Sequence, residues 1–434
     1  MRVKLYQFMK NTNSVFDKYN IIYTVNNNLC TGCGICEDVC PVKSIEIQLN
    51  GSEFRPVVNE NTCLSSKCGK CLRVCPGGRL NFKMMIQNQS ATSGLQQDDY
   101  IGQYVSLYTG YSLDKEVRYH SASGGLVTQF LIYLLEKKIV DGAVVTSFSE
   151  KDHLTPLSYI ARTKEDVLKA RSSKYCPVAL NKVGNEIVKS EGKYIIVGLP
   201  CHIQGFRKRA QIDRKFKERI IGYFAIYCSS NRTFNAQDFL LRKYGVRKDE
   251  VNSFAFRDNG CLGNLVIYYN KEVSELSIPF IQYYGRLRSF FKPRRCLSCI
   301  DHYGELADVS FGDIHIKPYS DDKIGINSCI VRNSFFNEVF QKAVSEGFIH
   351  LESLDAHILN ESQKDMLYPK KRRVKALMTL DRLLGRKIVK YDISWQDTHP
   401  QIKDYISVVS TEIQRFIGSH RSLWFIIDLL YSRK

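Results

Sequence analysis

Acidic side chains are scarce in this sequence. Its 44 Asp and Glu are set against 62 Lys and Arg, a formal charge of +18. Such a balance suggests nucleic acid as the first partner. A phosphorylated cofactor, an acidic protein, a membrane surface or a solvated basic face answers it equally well, and charge by itself does not choose. Long apolar runs are missing too. No stretch has eighteen uninterrupted apolar residues, so no spanning helix is expected. The opening "MRVKLYQFMKNTNSVFDKYN" holds no apolar run fit for a secretory signal. Both absences point to a cytoplasmic chain, and in a reducing compartment clustered thiols usually bind metals rather than form disulfides. The glycine fingerprint G-x-G-x-x-G is also lacking, so no ordinary dinucleotide fold is signalled. Disorder is excluded by composition, because 44% of residues are hydrophobic and 12% aromatic.

Cysteine is abundant. The 434 residues include fifteen, and eight of them precede residue 76. "LCTGCGICEDVCPVKSIEI" reads C-x2-C-x2-C-x3-C-P through Cys30, Cys33, Cys36 and Cys40. "NTCLSSKCGKCLRVCPGG" reads C-x4-C-x2-C-x3-C-P through Cys63, Cys68, Cys71 and Cys75. The first is the bacterial ferredoxin run, in which the fourth cysteine ligates the other cluster. Cys30, Cys33, Cys36 and Cys75 are therefore assigned to one [4Fe–4S] cluster, and Cys63, Cys68, Cys71 and Cys40 to a second. Close turns bring three thiolates to one face of a cubane, and Gly32 and Gly34 leave room for sulfide. A pair of zinc sites needs no such shared crossover. This pair of motifs is the one internal repeat.

Length suggests about three units. A cysteine-rich domain is expected over 21–82, a polar linker over 83–99, a large middle domain over 100–365 and a basic helical extension over 366–434. In the middle, "YVSLYTGY", "IVDGAVVTSF", "KYIIVGLP" and "ERIIGYFAIYC" read as strands, while "GGLVTQFLIYLLEKK" and "CHIQGFRKRA" read as helices. The fold class is thus an α/β (mixed α+β) catalytic domain, with a ferredoxin-like 2[4Fe–4S] domain before it and a helical tail after it. "SASGGLVTQF" and "FGDI" are glycine-bearing turns that suit a phosphate, although for each taken alone an N-cap is the better explanation. Cys201, Cys228, Cys296 and Cys299 fit either a third cluster or buried structural cysteine.

"SASGGLVTQFLIYLLEKKIVDGAVV", "RSSKYCPVALN", "YIIVGLPCHIQGFRK", "FAFRDNG" and "CLSCIDHYGELADVSFGDI" occur in this order. Together with the cysteine motifs they resemble the coenzyme F420 hydrogenase/dehydrogenase β-subunit family over roughly residues 25–335. The resemblance implies an iron–sulfur flavoprotein oxidoreductase that passes electrons between clusters and FAD. It would oxidise reduced F420, or reduce a small-molecule substrate with electrons from ferredoxin or another redox partner. Some bacterial relatives lie in surface-polysaccharide gene clusters. A non-catalytic electron-transfer subunit of a larger complex is the alternative. The resemblance also implies a third cluster on Cys201, Cys228, Cys296 and Cys299, with Cys176 the rival for one place. It places FAD at Ser123, Gly124 and Gly125, near Ser172, Ser173 and Lys174, and with Gly312 and Asp313. Many relatives carry an aromatic after the Gly-Asp pair and a tryptophan in the "FR" block; "GDIHIKP" and "FRDNGCLGN" depart from both, which puts the donor or acceptor in doubt.

His120, His202 and His315 adjoin these blocks and are candidate proton donors at a flavin, although packing or surface roles are commoner for histidine. The run "PKKRRVK" (Pro369 to Lys375) is read against nuclear import and nucleic acid. Docking of an acidic ferredoxin, or peripheral membrane contact together with the last helix "SLWFIIDLL", remain for it. For that helix, packing of Trp424, Phe425, Ile427 and Leu430 on the main domain is the preferred reading.

Overall fold

The computed structural model describes residues 19–87, 94–271, 274–392 and 399–432. In the cysteine-rich unit, strands β1 (Ile45–Asn50) and β2 (Glu53–Val58) form an antiparallel hairpin. Two short helices, α1 (Ile35–Asp38) and α2 (Lys70–Val74), carry the middle of each cysteine motif. Each is entered through a left-handed glycine, Gly34 at φ +83° and Gly69 at φ +63°, a conformation that costs other residues. Gly34 has a second reason. A Cβ there would sit 2.8 Å from the Asn181 side chain, so it leaves room for a neighbouring loop rather than for sulfide.

The middle of the chain builds an eight-stranded sheet. Its strands in chain order are β3 (Ser106–Ser112), β4 (Gly142–Phe148), β5 (Pro156–Ala161), β6 (Tyr194–Gly198) and β7 (Ile220–Ile226). A separate three-stranded antiparallel sheet follows: β8 (Val251–Asp258), β9 (Asn264–Tyr269) and β10 (Ser274–Pro279). The chain then returns to the large sheet with β11 (Val309–Asp313), β12 (Asn327–Val331) and β13 (Ile349–Ser353). The order across the sheet is β13-β3-β12-β11-β7-β6-β4-β5. The central four, β11, β7, β6 and β4, are parallel, and the flanking strands are antiparallel. This is the mixed α/β architecture expected from the alternation of segments.

Strand periodicity sets the two faces of the sheet. Phe224 of β7 points to one side, among Phe130, Phe336 and Phe340 of helices α3 (Leu126–Glu136) and α5 (Ser334–Ser345). Phe130 and Phe340 stack at 3.9 Å. Tyr223 and Ala225 point to the other side, where Ile203 and Phe206 of α4 (Pro200–Ala210) meet Ile35 and Val74 of the cysteine-rich unit. One continuous core therefore fixes that unit against the sheet.

The boundary drawn at residue 365/366 falls inside one helix, α6 (Ala356–Leu383). The basic run lies within this helix and ties it down. Lys371 donates to the Asp99 carbonyl at 2.8 Å, and Arg372 pairs with Asp404 at 3.5 Å. Of the linker at 83–99, residues 88–93 lie outside the described residues; Phe82–Gln87 is helical, and Gln96–Asp98 pairs with Gly102–Tyr104. Two further helices, α7 (Ile402–Ser419) and α8 (Trp424–Ser432), close the chain. In α8, Trp424 and Ile427 are buried and Leu430 is packed beside them, but Phe425 is 57% exposed, because it lies on the opposite side of the helix. No helix of the described residues is long and apolar enough to cross a membrane.

Candidate functional site

Parallel strands end on a common edge, and open α/β sheets gather their ligands beyond the carboxyl ends of such strands. Here that edge carries Cys201 after β6, Cys228 after β7 and Asp313 at the end of β11. The cysteine-rich unit docks on the same side through α4.

Cys30, Cys33, Cys36 and Cys75 line one cavity together with Gly32, Ile35 and Pro56. This is the crossed set expected from the spacing. Burial first, then the nearby Cys75, pushes the Cys33 thiol up to about 12. Backbone N–H groups point at the sulfurs: Gly32 to Cys30 at 3.4 Å and Gly77 to Cys75 at 3.2 Å. Cys63 and Cys68 neighbour Cys71, whose thiol is raised to about 11 chiefly by burial, and Cys40 packs in the same small core as Cys71. Cys40, Cys63 and Cys68 are only half-buried, whereas the first set is buried. Among the described residues, no group of three or more His, Cys, Asp or Glu side chains is arranged to hold a single metal ion. A first set of cysteines spread around a void fits a cluster of metal and sulfide better than a point-like ion.

Cys201, Cys228, Cys296 and Cys299 line a second cavity, which also meets Thr31 and Gly32 of the first motif. Burial, then Cys228, Cys33, Cys299 and Cys296, holds the Cys201 thiol well above its ordinary value. Cys201 thus stands between the two sets. Cys176 is elsewhere: its side chain is fully buried among Phe239, Leu240 and Phe256. Cations brace these loops through backbone carbonyls. Arg55 donates to Cys30 O at 2.9 Å, Lys208 to Cys75 O at 2.6 Å and Arg295 to Pro76 O at 3.0 Å. Lys370 of the basic run enters the second cavity and donates to Cys228 O and Asp301 O, each at 2.8 Å.

The other blocks converge on Arg257 of β8. Its guanidinium is 2.6 Å from Asp313, donates to Leu262 O at 2.7 Å and lies over the Phe280 ring at 4.9 Å. Burial opposes its charge, yet Asp313 and Tyr175 hold it firmly protonated. One of its terminal nitrogens, Nη2, is buried without a partner. The Ser172 hydroxyl donates to the Arg257 carbonyl, with Ser173 half-buried beside it. Cys261 and Ser123 adjoin the same place, since a Cβ on Gly325 would touch both.

Several expected contacts are turned inward. Gly124 packs against the Gly110 carbonyl and Asn327, and Gly125 starts α3 at φ +71°. The first free N–H of α3, on Leu126, is taken by Asn327 Oδ1 at 3.0 Å, and the Ser123 hydroxyl is bound to Ile326 O. The glycine turn therefore docks α3 onto β12 through Asn327. Lys174 Nζ is wrapped by the carbonyls of Ala170, Arg171 and Ser172, and burial lowers it to about 7. Gly312 makes room for the Tyr227 ring.

The three histidines differ. His202 is buried, accepts from Leu199 N at Nδ1 and reaches Val178 O at Nε2. Burial lowers it to about 4, and with both nitrogens committed it is a cap for α4, not a proton donor. His120 is bound to Asp258 at 2.8 Å. His315 is exposed, with its Nε2 4.0 Å from Asp313. Arg257, Tyr175, Cys261 and Lys370 were not singled out by the motifs. Arg257 and Cys261 fall in or directly after the quoted "FAFRDNG" block, and that block was the available signal.

Comparison with known proteins agrees with this geometry. Residues 107–184 and 191–357 match the N-terminal and C-terminal models of the coenzyme F420 hydrogenase/dehydrogenase beta subunit, and residues 29–81 match a 4Fe-4S dicluster domain. A coenzyme F420-dependent sulfite reductase of Methanocaldococcus jannaschii is 27% identical over 76% of this chain, which spans about half (48%) of that protein's length. The coenzyme F420 hydrogenase subunit beta of Methanosarcina barkeri is 24% identical over 60% of this chain and 85% of its own. The fold resembles a chain in the F420-reducing [NiFe] hydrogenase complex of the same organism, with a TM-score of 0.53 over 68% of this chain and 98% of that one, at 21% identity. With both halves of one family matched in order behind a 4Fe-4S dicluster domain, the chain belongs to the coenzyme F420 hydrogenase/dehydrogenase β-subunit family.

Proposed function

We propose that this chain is an iron–sulfur flavoprotein oxidoreductase, in which three [4Fe–4S] clusters connect a redox partner to FAD at the Arg257 site. One observation carries the reading: the cavity of Cys201, Cys228, Cys296 and Cys299 abuts the first ferredoxin-type loop and lies on the same sheet edge as Asp313. Half-buried Cys40, Cys63 and Cys68 would make the second cluster the point of contact with ferredoxin or a partner subunit. When bound, FAD would exchange a hydride with a substrate and single electrons with clusters. The buried, unpartnered Nη2 of Arg257 suits an anionic part of that cofactor, and Asp313 fixes the guanidinium plane. His315, 4.0 Å from Asp313, would deliver a proton at this mouth. The carbonyl-bound cations at Cys30, Cys75 and Cys228 offset negative charge on the clusters.

Reduced F420 is one donor this site would serve. Reduction of a small molecule with ferredoxin electrons, for instance in surface-polysaccharide synthesis, is the other direction of the same chain of centres. A second reading, a non-catalytic subunit of a larger redox complex, is favoured by the glycine turn at Ser123–Gly125, where the Ser123 hydroxyl and the Leu126 N–H are already bonded within the protein.

Anaerobically purified protein should contain about twelve irons, four per cluster, and bound FAD. Cys201→Ser should lose about a third of the iron and keep the flavin. Arg257→Ala should keep the iron and release the flavin. Full iron with no flavin in the unsubstituted protein would reject the flavoprotein reading in favour of the subunit reading.

A further inference from the structure

Helix α7 presents an apolar stripe to solvent. Ile402, Ile406, Val409, Ile413 and Phe416 are 80, 64, 49, 56 and 59% exposed. Their 4-3-4-3 spacing keeps them within roughly 40° of one line along the helix, over about 21 Å. The polar side of the helix is the one turned inward. Asp404 faces Arg372 at 3.5 Å, Glu412 faces Arg294 at 2.8 Å, and Arg415 donates to Lys292 O at 2.7 Å. Val408 adds a small apolar contact to Ala376 and Leu377. With Tyr405 and Ile417 also packed inward, the helix is seated by polar and apolar contacts together, and the exposed stripe is a second apolar side that an ordinary surface helix lacks.

A narrow stripe of this spacing is the seam of a helix pair, and soluble monomers rarely leave one uncovered. The stripe is also nearly symmetric about Val409, with apolar residues three and seven positions before it and four and seven after it. Laid antiparallel on a second copy, Val409 meets Val409, Ile406 meets Ile413 and Ile402 meets Phe416. Every apolar residue gains an apolar partner, and the contact closes at two chains. The face offers one charged side chain, exposed Lys403, beside Ser410. It lacks the alternating charges that choose a foreign helix. Its exposed cations, Lys403 and the flanking Arg421, are fewer than the Lys/Arg-rich polar side that holds a helix on an anionic bilayer. We propose that α7 is a two-fold interface joining two copies of this chain in antiparallel register about Val409. A standard interface takes about 800 Å² from each partner. A single short seam offers less, so the dimer is expected to dissociate on dilution.

Sedimentation of the full chain, purified anaerobically with its clusters, tests this. The unsubstituted protein should show a concentration-dependent monomer–dimer equilibrium. I406K and I413E should each weaken it at least tenfold. The double variant I406K/I413E should dimerise again, because the introduced lysine at 406 faces the introduced glutamate at 413 of the other copy. An equimolar mixture of the two single variants should form the mixed dimer. That recovery cannot come from unfolded chains. Unsubstituted protein that stays monomeric at about 100 µM, or a double variant as monomeric as the singles, overturns the proposal. So does a monomer that binds phosphatidylglycerol vesicles through Ile406 and Ile413.

Discussion

At the scale of single residues, the chemistry of this protein depends on where ionisable groups are buried. Glu305 illustrates it. Burial first, then the charge of Asp301, raises its carboxyl to about 7, against the pull of Lys371 and Arg332. The fold therefore holds a proton on Glu305 that the unfolded chain has already lost above about pH 4.5. Stability contributed this way is fully present below that pH and is lost as pH rises through 7. Glu305→Gln should unfold at the same temperature as the unsubstituted protein near pH 4.5 and at a higher one at pH 8. Equal gains at both pH values would mean that packing, not titration, is responsible. The motif cysteines show what a sequence can reveal at this scale: covalent spacing alone brings Cys30, Cys33 and Cys36 to one cavity. Arg257 shows what it cannot, since its value lies in meeting Asp313, 56 residues away.

Among elements, helix α6 changes the meaning of the basic run. Read linearly, "PKKRRVK" is a charged patch seeking an acidic partner. Folded, its successive residues diverge around a helix, and Lys370 reaches the carbonyls of Cys228 and Asp301. If the proposed third cluster sits on this cysteine set, a cation beside it favours its reduced form, which carries one more negative charge. Lys370→Met should therefore lower the midpoint potential of one cluster, read by spectroscopically monitored redox titration, with iron content unchanged. An unshifted potential would leave Lys370 only as a brace between α6 and the loop after β7. The glycine turn before α3 makes the same point in reverse. Its sequence suits a phosphate, but Asn327 of β12 occupies the helix N-terminus, and no local pattern announces a partner two hundred residues on.

For the whole molecule, the decisive contact is the one that holds the cysteine-rich unit to the sheet. Electron transfer between centres requires that they stay close, and Asp38 of α1 pairs with Arg209 of α4 at 2.6 Å with both side chains buried. Asp38 also accepts from Asn185 N at 2.8 Å. Breaking a buried pair by removing one partner costs about 3–5 kcal/mol. Arg209 keeps Asp213 at 3.2 Å, so Asp38→Ala should lie at the lower end, about 3 kcal/mol. Urea unfolding would show the loss. Hydrogen exchange should rise in α1 and α2 before the strands of the sheet open. Exchange rising uniformly would mean that the two parts unfold as one and that this pair is no local hinge.

Features written in short-range code were legible before folding. Two ferredoxin-type motifs and the alternation of strand and helix follow from spacing and periodicity, which act over a few residues, and the spacing already pointed to Cys75 as the companion of Cys30, Cys33 and Cys36 in one cavity. Five ordered blocks likewise identified the family. Only the tertiary structure decided which residues meet. It brought Cys201, Cys228, Cys296 and Cys299 to one cavity and left Cys176 in the aromatic core. It turned Ser123, Gly124, Lys174 and His202 toward the protein's own backbone and set Arg257 against Asp313. It sent Lys370 inward and the apolar side of α7 outward. Such outcomes depend on strand order and on the packing of distant elements, where burial and charge are settled by neighbours far away in the chain.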